Sequence, residues 1–341
     1  MSKILVTGGL GYIGSHTVVE LQQYGYEVVI VDNLSNSEIT VLDGIESITG
    51  IRPVFEKLDI CDETAFQNCL SKHQGIDAVI HFAAYKAVGE SVAQSLDYYR
   101  NNVFGLIQLL TLMRKNGIQN IIFSSSCTVY GQPDTLPIDE TAPRKPATSP
   151  YGNTKQMCED IIRDAITSYH DLSAILLRYF NPIGAHPSAK IGELPKGVPN
   201  NLVPFVTQTA AGIRKELSVF GDDYNTPDGS AIRDYIYVVD LAKAHVKAMQ
   251  RLLSGNNRSE LEIFNLGTGK GVSVLELVNA FIDATGVDLP YKIVGRREGD
   301  TEQVWADNSL AEKELGWTAE TPLKEVLASA WNWEKKVRNI K

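Results

Sequence analysis

The first 33 residues constrain the fold of this chain more than any other stretch. Residues 3–7 form a short apolar run typical of a β-strand, and residues 8–14 form a glycine-rich turn with the spacing GxxGxxG. A helical pattern continues to Tyr24, and a second strand-like run over residues 28–31 ends in an acid. This order of strand, glycine turn, helix and strand predicts a βαβ unit, which requires a parallel sheet.

Each glycine of the turn has a physical reason to be there. Gly8 permits a tight turn, Gly11 lets the backbone approach a pyrophosphate, and Gly14 lets the helix pack on the strand. The helix N-terminus then faces the phosphates. Asp32 can accept hydrogen bonds from a ribose 2′-hydroxyl but repels a 2′-phosphate, so the pattern predicts NAD over NADP. The alternative is a packing turn that binds no ligand.

The alternation of strand and helix patterns continues along the first half of the chain. Strand-like runs at residues 54–58, 78–82, 120–123 and 172–179 alternate with helical patterns, which predicts right-handed crossovers. Ligands in such folds bind beyond the carboxyl ends of the strands. The residues at those ends are Asp59, Ile60, Phe82, Ala83, Ala84 and residues 124–126, and the small ones among them leave room for a cofactor. His81 lies inside an apolar run, so we interpret it as a core histidine.

The texture of the sequence changes after Asn181, where loops and short apolar runs replace the regular alternation. We therefore predict an α/β fold with a Rossmann-type doubly wound parallel sheet and a smaller mixed α/β substrate domain. The expected division is an NAD-binding domain over residues 1–181 and a substrate domain over residues 182–341. Segments of the second part are allowed to return to the first.

The segment Ser149-Pro150-Tyr151-Gly152-Asn153-Thr154-Lys155 carries the candidate chemistry. Pro150 is suited to a first helical turn, and Tyr151 and Lys155 are spaced to share one helix face. An ammonium near a phenol favours the phenolate, so we expect Lys155 to lower the pKa of Tyr151 and make it a base. The alternative is a Tyr/Lys pair on a solvated helix face.

Composition excludes several function classes. The net charge of −9 argues against a general surface for nucleic acid or for an anionic membrane. The four cysteines form no CxxC pair, so we predict neither a zinc site nor a disulfide framework, and a reducing cytoplasm as the compartment. The sequence contains no apolar run of membrane-spanning length and reaches its glycines too soon for a signal peptide.

An anionic small ligand is still compatible with an acidic protein if basic side chains gather locally. Arg233, Arg296 and Arg297 are candidates for binding a diphosphate, because planar guanidinium groups match phosphate oxygens. We favour Arg233 and Arg297. The alternative is that some of these arginines form surface salt bridges.

The glycine turn, Asp32, Ser126 and the Tyr151/Lys155 pair together resemble the extended short-chain dehydrogenase/reductase family. Further motifs resemble its UDP-glucose 4-epimerase branch and cover essentially the whole chain. These motifs are residues 124–131, 149–152, 179–182, 184–188, 199–202, 233–236 and 297–300.

The resemblance implies an enzyme that holds NAD tightly and reversibly inverts C4 between UDP-glucose and UDP-galactose through a 4-keto sugar, a reaction of galactose metabolism. Tyr151 would take the proton of the 4-hydroxyl, and Ser126 would hydrogen-bond the 4-oxygen. Lys155 would bind the nicotinamide ribose and depress the pKa of Tyr151. A homodimer formed through a helical bundle is also implied.

The resemblance also implies two sets of binding residues. Those for NAD are Gly8, Gly11, Tyr12, Ile13, Gly14, Asp32, Asn33, Asp59, Ile60, Phe82, Ala83, Ala84, Lys86, Asn101, Tyr151, Lys155, Tyr179 and Phe180. Those for the UDP-sugar are Lys86, Ser126, Tyr151, Asn181, Asn200, Asn201, Leu202, Ser218, Phe220, Arg233, Arg297, Asp300 and Val304.

Val304 departs from the pattern of strict glucose/galactose epimerases, in which a tyrosine faces the sugar. A smaller side chain leaves space beside C2, where an N-acetyl group would lie. We therefore expect UDP-N-acetylglucosamine and UDP-N-acetylgalactosamine as additional substrates. The alternative is that Val304 only packs and that a neighbour fills the gap.

Three other functions share parts of this pattern. A sugar-nucleotide dehydratase would carry an Asp-Glu pair after the Thr of its Ser/Thr motif, but Val129 follows Thr128 here. A UDP-glucuronate decarboxylase would carry Glu in place of Thr128. A non-catalytic NAD-binding sensor would need neither Tyr151 nor Lys155, so their presence favours an enzyme.

Overall fold

The computed structural model describes residues 1–297 and 301–340. The strands in chain order are β1 (Lys3–Thr7), β2 (Glu27–Asp32), β3 (Val54–Lys57), β4 (Ala78–His81), β5 (Asn120–Ser126), β6 (Ser173–Tyr179), β7 (Asn181–Ile183), β8 (Leu217–Phe220), β9 (Ile232–Arg233), β10 (Tyr235–Tyr237), β11 (Leu261–Leu266), β12 (Val272–Ser273), β13 (Tyr291–Val294) and β14 (Gln303–Val304).

The α-helices are α1 (Tyr12–Gln23), α2 (Val41–Thr49), α3 (Glu63–Lys72), α4 (Val88–Ala93), α5 (Ser95–Tyr98), α6 (Gly105–Lys115), α7 (Pro150–Tyr169), α8 (Leu202–Ala210), α9 (Val238–Leu253), α10 (Val274–Thr285), α11 (Ser309–Leu315) and α12 (Leu323–Arg338). A π-helical segment (Tyr99–Phe104) joins α5 to α6, and a 3-10 turn (Cys127–Tyr130) follows β5.

Seven parallel strands form the main sheet in the order β11-β6-β5-β4-β1-β2-β3. Strands β1 to β6 lie in the order β3-β2-β1-β4-β5-β6, which is the arrangement of a doubly wound dinucleotide-binding sheet, and the order reverses between β1 and β4. The predicted fold class is therefore confirmed. The run predicted over residues 120–123 is longer in the structure, because β5 continues to Ser126 and pairs with β6 along its whole length.

Apolar side chains alternate between the two faces of this sheet. Ile4 and Val6 pack in a core shared with α1, α2 and α9, whereas Leu5 packs in a second core shared with α3, α6 and α7. A period of two along each strand buries both faces because helices cover both sides. The continuous apolar runs seen in the sequence follow from this double burial.

The second part of the chain builds three short ladders: β7 with β10, β8 with β13, and β12-β9-β14. These ladders and helices α8, α10 and α12 share a third core, where Phe281 and Trp331 meet edge to face. Strand β11 is different, since it pairs with β6 in the main sheet. One strand of the second part therefore lies in the sheet of the first.

Helix α10 spans Val274–Thr285. Its start is fixed by a capping box, in which the Ser273 hydroxyl accepts from the Glu276 amide and the Glu276 carboxylate accepts from the Ser273 amide.

Among the described residues, no helix combines the length and apolar character needed to cross a bilayer.

Candidate active site

The glycine turn follows β1 at the point where the strand order reverses. The Gly8 amide donates to the Val31 carbonyl at 2.7 Å, and Gly8 has a φ of 69°, which favours glycine. A Cβ on Gly8 would lie 2.7 Å from the Ala83 nitrogen, and a Cβ on Gly14 would lie 2.3 Å from the Gly8 oxygen. The glycines therefore allow a backbone approach that no side chain permits.

The Asp32 carboxylate lies at the end of β2 and is largely buried. It accepts hydrogen bonds from the Leu10 amide at 3.1 Å and from the Ser37 hydroxyl at 2.7 Å. Beside it, the Asn33 amide donates to the Asp59 carboxylate at 3.1 Å and links the carboxyl ends of β2 and β3. These oxygen acceptors suit the hydroxyl and amino groups of an adenosine.

Other residues predicted for NAD lie on α1, after β3, after β4 and in the π-helical segment. Phe82, Ala83 and Ala84 follow β4, and the Phe82 ring lies 4.8 Å from that of His245. Lys86 places its ammonium 5.9 Å from the Tyr12 ring centroid. The Asn101 amide donates to Asn102, which bridges to Tyr85. The Ile13 side chain packs against the first and third cores, and that of Ile60 is buried in the second.

The chemical groups around the crevice where the strand order reverses suit a dinucleotide. It combines a backbone turn at a helix start, a largely buried carboxylate beside the second strand and a lysine ammonium at the rim. Among the described residues, no three His, Cys, Asp or Glu side chains converge in a way that would hold a metal ion.

Tyr151, Lys155 and Ser126 meet where the end of β5 packs on α7. The Ser149 hydroxyl caps this helix by accepting from the Gly152 amide at 3.2 Å, and Pro150 occupies its first turn. The Lys155 ammonium is buried and donates to the Ser124 carbonyl at 2.6 Å. The Tyr151 phenol lies near the Ser126 side chain, and the Lys155 nitrogen lies 6.0 Å from the phenol ring centroid. The structure brings the three predicted catalytic residues together.

Burial dominates the electrostatics of this junction. Burial raises the pKa of Tyr151 to about 12, although the hydrogen bond from Ser126 acts in the opposite direction. Burial lowers the pKa of Lys155 to about 8. In the protein alone the pKa of Tyr151 is therefore raised, because burial penalises the phenolate, and the lowering of this pKa by Lys155 stays a prediction.

Aromatic residues at the end of β6 border the catalytic junction. Tyr179 shares a hydrogen bond with the Ser124 hydroxyl, and burial raises the pKa of its phenol. Phe180 packs with Val304 and Ala306 in a small apolar cluster. Val304 is 8% exposed and lies opposite Arg233 in the β9–β14 ladder. Val304 therefore lies between an apolar cluster and Arg233, a candidate ligand of the diphosphate.

A second group of predicted residues lies on loops of the substrate part. The Asn201 amide donates to the Glu193 carboxylate at 2.6 Å, and the same oxygen accepts from Lys86 at 3.1 Å. Asn200 is exposed beside it, and Leu202 begins α8. The backbone N–H of Asn181 donates to the Asp234 carbonyl in the β9–β10 connection.

The candidate arginines separate into two kinds. Arg297 stacks its guanidinium 5.6 Å from the ring centroid of Phe220, which shares a strand face with Ser218. Arg233 donates to the Ile232 carbonyl at 2.8 Å. Arg296 instead pairs with Asp223 at 2.6 Å on the surface, as the salt-bridge alternative predicts. Asp300, also predicted to bind the substrate, lies outside the described residues.

Comparison with known proteins agrees with this geometry. Residues 4–267 match the sequence profile of the NAD dependent epimerase/dehydratase family. The chain belongs to this family. It is 51% identical to a UDP-glucose 4-epimerase of Mus musculus, over 98% of this chain and 97% of that protein.

Two solved structures of this family have nearly the same fold. One is a UDP-glucose 4-epimerase from Stenotrophomonas maltophila with bound NAD and a formylated UDP-arabinopyranose, with a TM-score of 0.96, 49% identity and full coverage of both chains. The other is the enzyme from Bifidobacterium longum in complex with NAD⁺ and UDP, with a TM-score of 0.95, 47% identity and full coverage of both chains. NAD is thus the cofactor of this family member.

Sequence reasoning missed Glu193, which joins the Lys86 and Asn201 side chains through one carboxylate oxygen. The backbone of Glu193 is also fixed, since the Trp333 indole donates to its carbonyl at 2.8 Å. The only available signal was an acid in the same loop as Asn200 and Asn201. Its partner Lys86 is more than a hundred residues away, so periodicity could not reveal the contact.

Proposed function

We propose that this chain catalyses the NAD-dependent, reversible C4 epimerisation of UDP-glucose and UDP-galactose. The observation that carries the proposal is the contact between Ser126, Tyr151 and Lys155 at the carboxyl edge of the sheet, next to the dinucleotide crevice. An alcohol-oxidising base must lie beside the nicotinamide, and the Rossmann arrangement brings the two sites together.

Bound NAD would supply a reversible hydride acceptor for C4 and a positive charge beside the phenol. The Tyr151 oxygen accepts the proton of the sugar 4-hydroxyl and returns it after the 4-keto sugar has turned to present its other face. The Ser126 hydroxyl holds the 4-oxygen and the Tyr151 oxygen in one hydrogen-bonded group. Lys155, anchored on the Ser124 carbonyl, would bind the ribose hydroxyls.

The UDP part is held by the second region of the chain. Arg233 and Arg297 supply planar cations for the diphosphate, and Phe220 supplies a ring face for the base. Asn181, Asn200, Asn201, Leu202, Ser218 and Asp300 complete the proposed set. We accordingly assign NAD binding to residues 1–181 and UDP-sugar binding to residues 182–341, with β11 returning to the main sheet.

We propose that the acetylated pair, UDP-N-acetylglucosamine and UDP-N-acetylgalactosamine, is also accepted. The support is the small side chain of Val304 beside Phe180 and Arg233. Val304→Tyr should lower turnover of UDP-N-acetylgalactosamine at least about 10-fold more than that of UDP-galactose, because one bulky ring opposes one acetyl group. Equal losses on both substrates would contradict this assignment.

We propose a cytoplasmic homodimer. Apolar side chains are exposed on α4 to α7, including Val92 (67% exposed) and Leu96 (80% exposed), together with Phe104, Ile107 and Met157. Such a patch is typical of a buried interface between copies. Leu96→Asp should convert the dimer to a monomer in sedimentation experiments, and an unchanged mass would contradict the proposed face. The free thiols agree with a reducing compartment.

The deciding experiment uses the purified protein without added NAD. It is incubated separately with UDP-galactose and UDP-N-acetylgalactosamine, and the C4 epimers are resolved by chromatography. Conversion of both supports the full proposal, and conversion of UDP-galactose alone removes the acetylated substrates. If neither reacts with or without added NAD, the epimerase assignment is wrong.

A further inference from the structure

Three consecutive serines at the end of β5 each bind a different residue on one face of α7. Ser126 lies near the Tyr151 phenol, and the Ser124 carbonyl accepts from Lys155. The Ser125 hydroxyl, between them, donates to the Glu159 carboxylate at 2.5 Å. Residues spaced by four share a helix face, so Glu159 continues the Tyr151–Lys155 row by one further turn.

Glu159 is the centre of a buried polar network. Its carboxylate is fully buried and accepts from the Arg178 Nε at 2.9 Å and from its Nη2 at 2.6 Å. Arg178 also donates to the Tyr130 hydroxyl at 3.0 Å, and Tyr130 donates to Asn265 at 2.7 Å. The network thus connects α7, β5, β6 and β11 directly beneath the catalytic junction.

A buried ion pair of this kind is weak evidence for stability, because desolvation offsets much of its attraction. Its placement suggests a different role. The Ser125 hydroxyl donates to the same Glu159 oxygen as the Arg178 Nε, and this hydrogen bond fixes the strand end to the helix. Positional errors of about 1 Å at a reacting group cost on the order of 100-fold in rate, so holding the strand end in place matters for catalysis.

We propose that Ser125, Glu159 and Arg178 are positioning residues that set the geometry between the Ser126 hydroxyl and the Tyr151 phenol. This inference rests on the proposed epimerase function. The Arg178 fork fixes the Glu159 carboxylate, and the carboxylate fixes the strand end through Ser125. By fixing this geometry, the three residues lower the activation barrier of proton transfer without touching the substrate.

The first test is Ser125→Ala, which removes one hydrogen bond and leaves the ion pair intact. We expect kcat for UDP-galactose to fall about 10-fold, with KM within about 2-fold and the bound NAD per chain unchanged. In the Ser126→Ala background the same change should cost less than about 2-fold, because the hydroxyl that it positions is gone. A kcat within about 2-fold of wild type, or an equal loss in both backgrounds, would overturn the proposal.

The second test separates positioning from stability with a matched pair of variants. Glu159→Gln and Glu262→Gln each remove one charge from a buried Arg–Glu pair, since Glu262 pairs with Arg251 at 2.6 Å away from the site. Both should lower the melting temperature, but only Glu159→Gln should lower kcat per bound NAD. Equal effects on kcat would overturn the proposal. A wild-type chain that converts neither sugar would instead overturn the proposed function and the inference with it.

Discussion

The two sides of the active site are built in different ways. On the catalytic side, Ser126, Tyr151 and Lys155 lie on a long strand and a long helix, and their polar groups are bonded to one another or to the backbone. On the substrate side, Phe220 lies on a four-residue strand and Asn201 on a loop, and both are exposed.

This difference matches what each side has to do. Proton transfer requires atoms held at hydrogen-bonding distance, and buried regular elements provide that constancy. Release and rotation of a sugar require space, and loops with exposed side chains provide it. Changes on the catalytic side should therefore affect kcat, whereas changes on the substrate side should affect KM.

Replacing the base should have the largest effect. Tyr151→Phe removes the proton acceptor, so kcat for UDP-galactose should fall by about 1,000-fold, within the range for general base catalysis, while bound NAD stays the same. Tyr169→Phe, an exposed position on the same helix, is the control and should keep wild-type turnover. Steady-state kinetics and the ratio of NAD to protein provide the measurement. Loss of NAD in Tyr151→Phe would show that the residue serves mainly to hold the cofactor.

Lowering the pH should reduce the free energy of unfolding. Burial lowers the pKa of His16 and His81 to about 3 and that of His245 to about 4. The unfolded chain binds these protons below pH 6.5 and the folded chain does not, so this stability is complete above pH 6.5. It is lost as the pH falls from 6.5 to about 4 for His245 and to about 3 for His16 and His81. Three such groups give a slope of at most about 4 kcal/mol per pH unit.

Urea unfolding between pH 7.5 and pH 5 measures that slope. His245→Leu should reduce it by about 1.4 kcal/mol per pH unit, because one proton fewer is taken up on unfolding. Burial raises the pKa of Glu20 and Asp234, which opposes the trend in part. An unchanged slope in His245→Leu would show that this histidine is protonated in the folded protein.

A change on the substrate side should appear in KM. Arg233→Met removes a proposed ligand of the diphosphate, so KM for UDP-galactose should rise about 10- to 100-fold, with kcat within about 3-fold. Arg296→Met is the matched control, since that guanidinium pairs with Asp223 on the surface, and its KM should change less than about 2-fold. A fall in kcat of Arg233→Met without a rise in KM would contradict the division between the two sides.

The cofactor turn should tolerate little added volume. Gly14→Ala would place a methyl group 2.3 Å from the Gly8 oxygen, so the free energy of unfolding should fall by about 1–3 kcal/mol and bound NAD should be lost. A Cβ at Gly89 on α4 meets no atom within 4 Å, so Gly89→Ala should not destabilise the protein. Chemical unfolding and NAD content check both variants. A stable, NAD-loaded Gly14→Ala protein would mean that the turn can shift.

Local patterns were enough to predict much of this site. The glycine spacing with Asp32 predicted the dinucleotide crevice, and the four-residue spacing of Tyr151 and Lys155 placed them on one helix face. The same four-residue spacing extends to Glu159. From sequence alone, however, a carboxylate on a helix face is interpreted as a solvated charge, because its burial is not known. Arg178 and Ser125, which bind it, are separated from it by 19 and 34 residues.

The sequence by itself determined the alternation of strands and helices, the NAD crevice and the residue types of the catalytic group, because periodicity and turn chemistry act over a few residues. The tertiary structure decided the return of β11 to the main sheet, the link from Lys86 to Asn201 through Glu193, and the raised pKa of Tyr151. These depend on which distant segments exclude water from a group, and burial is a property of the whole fold.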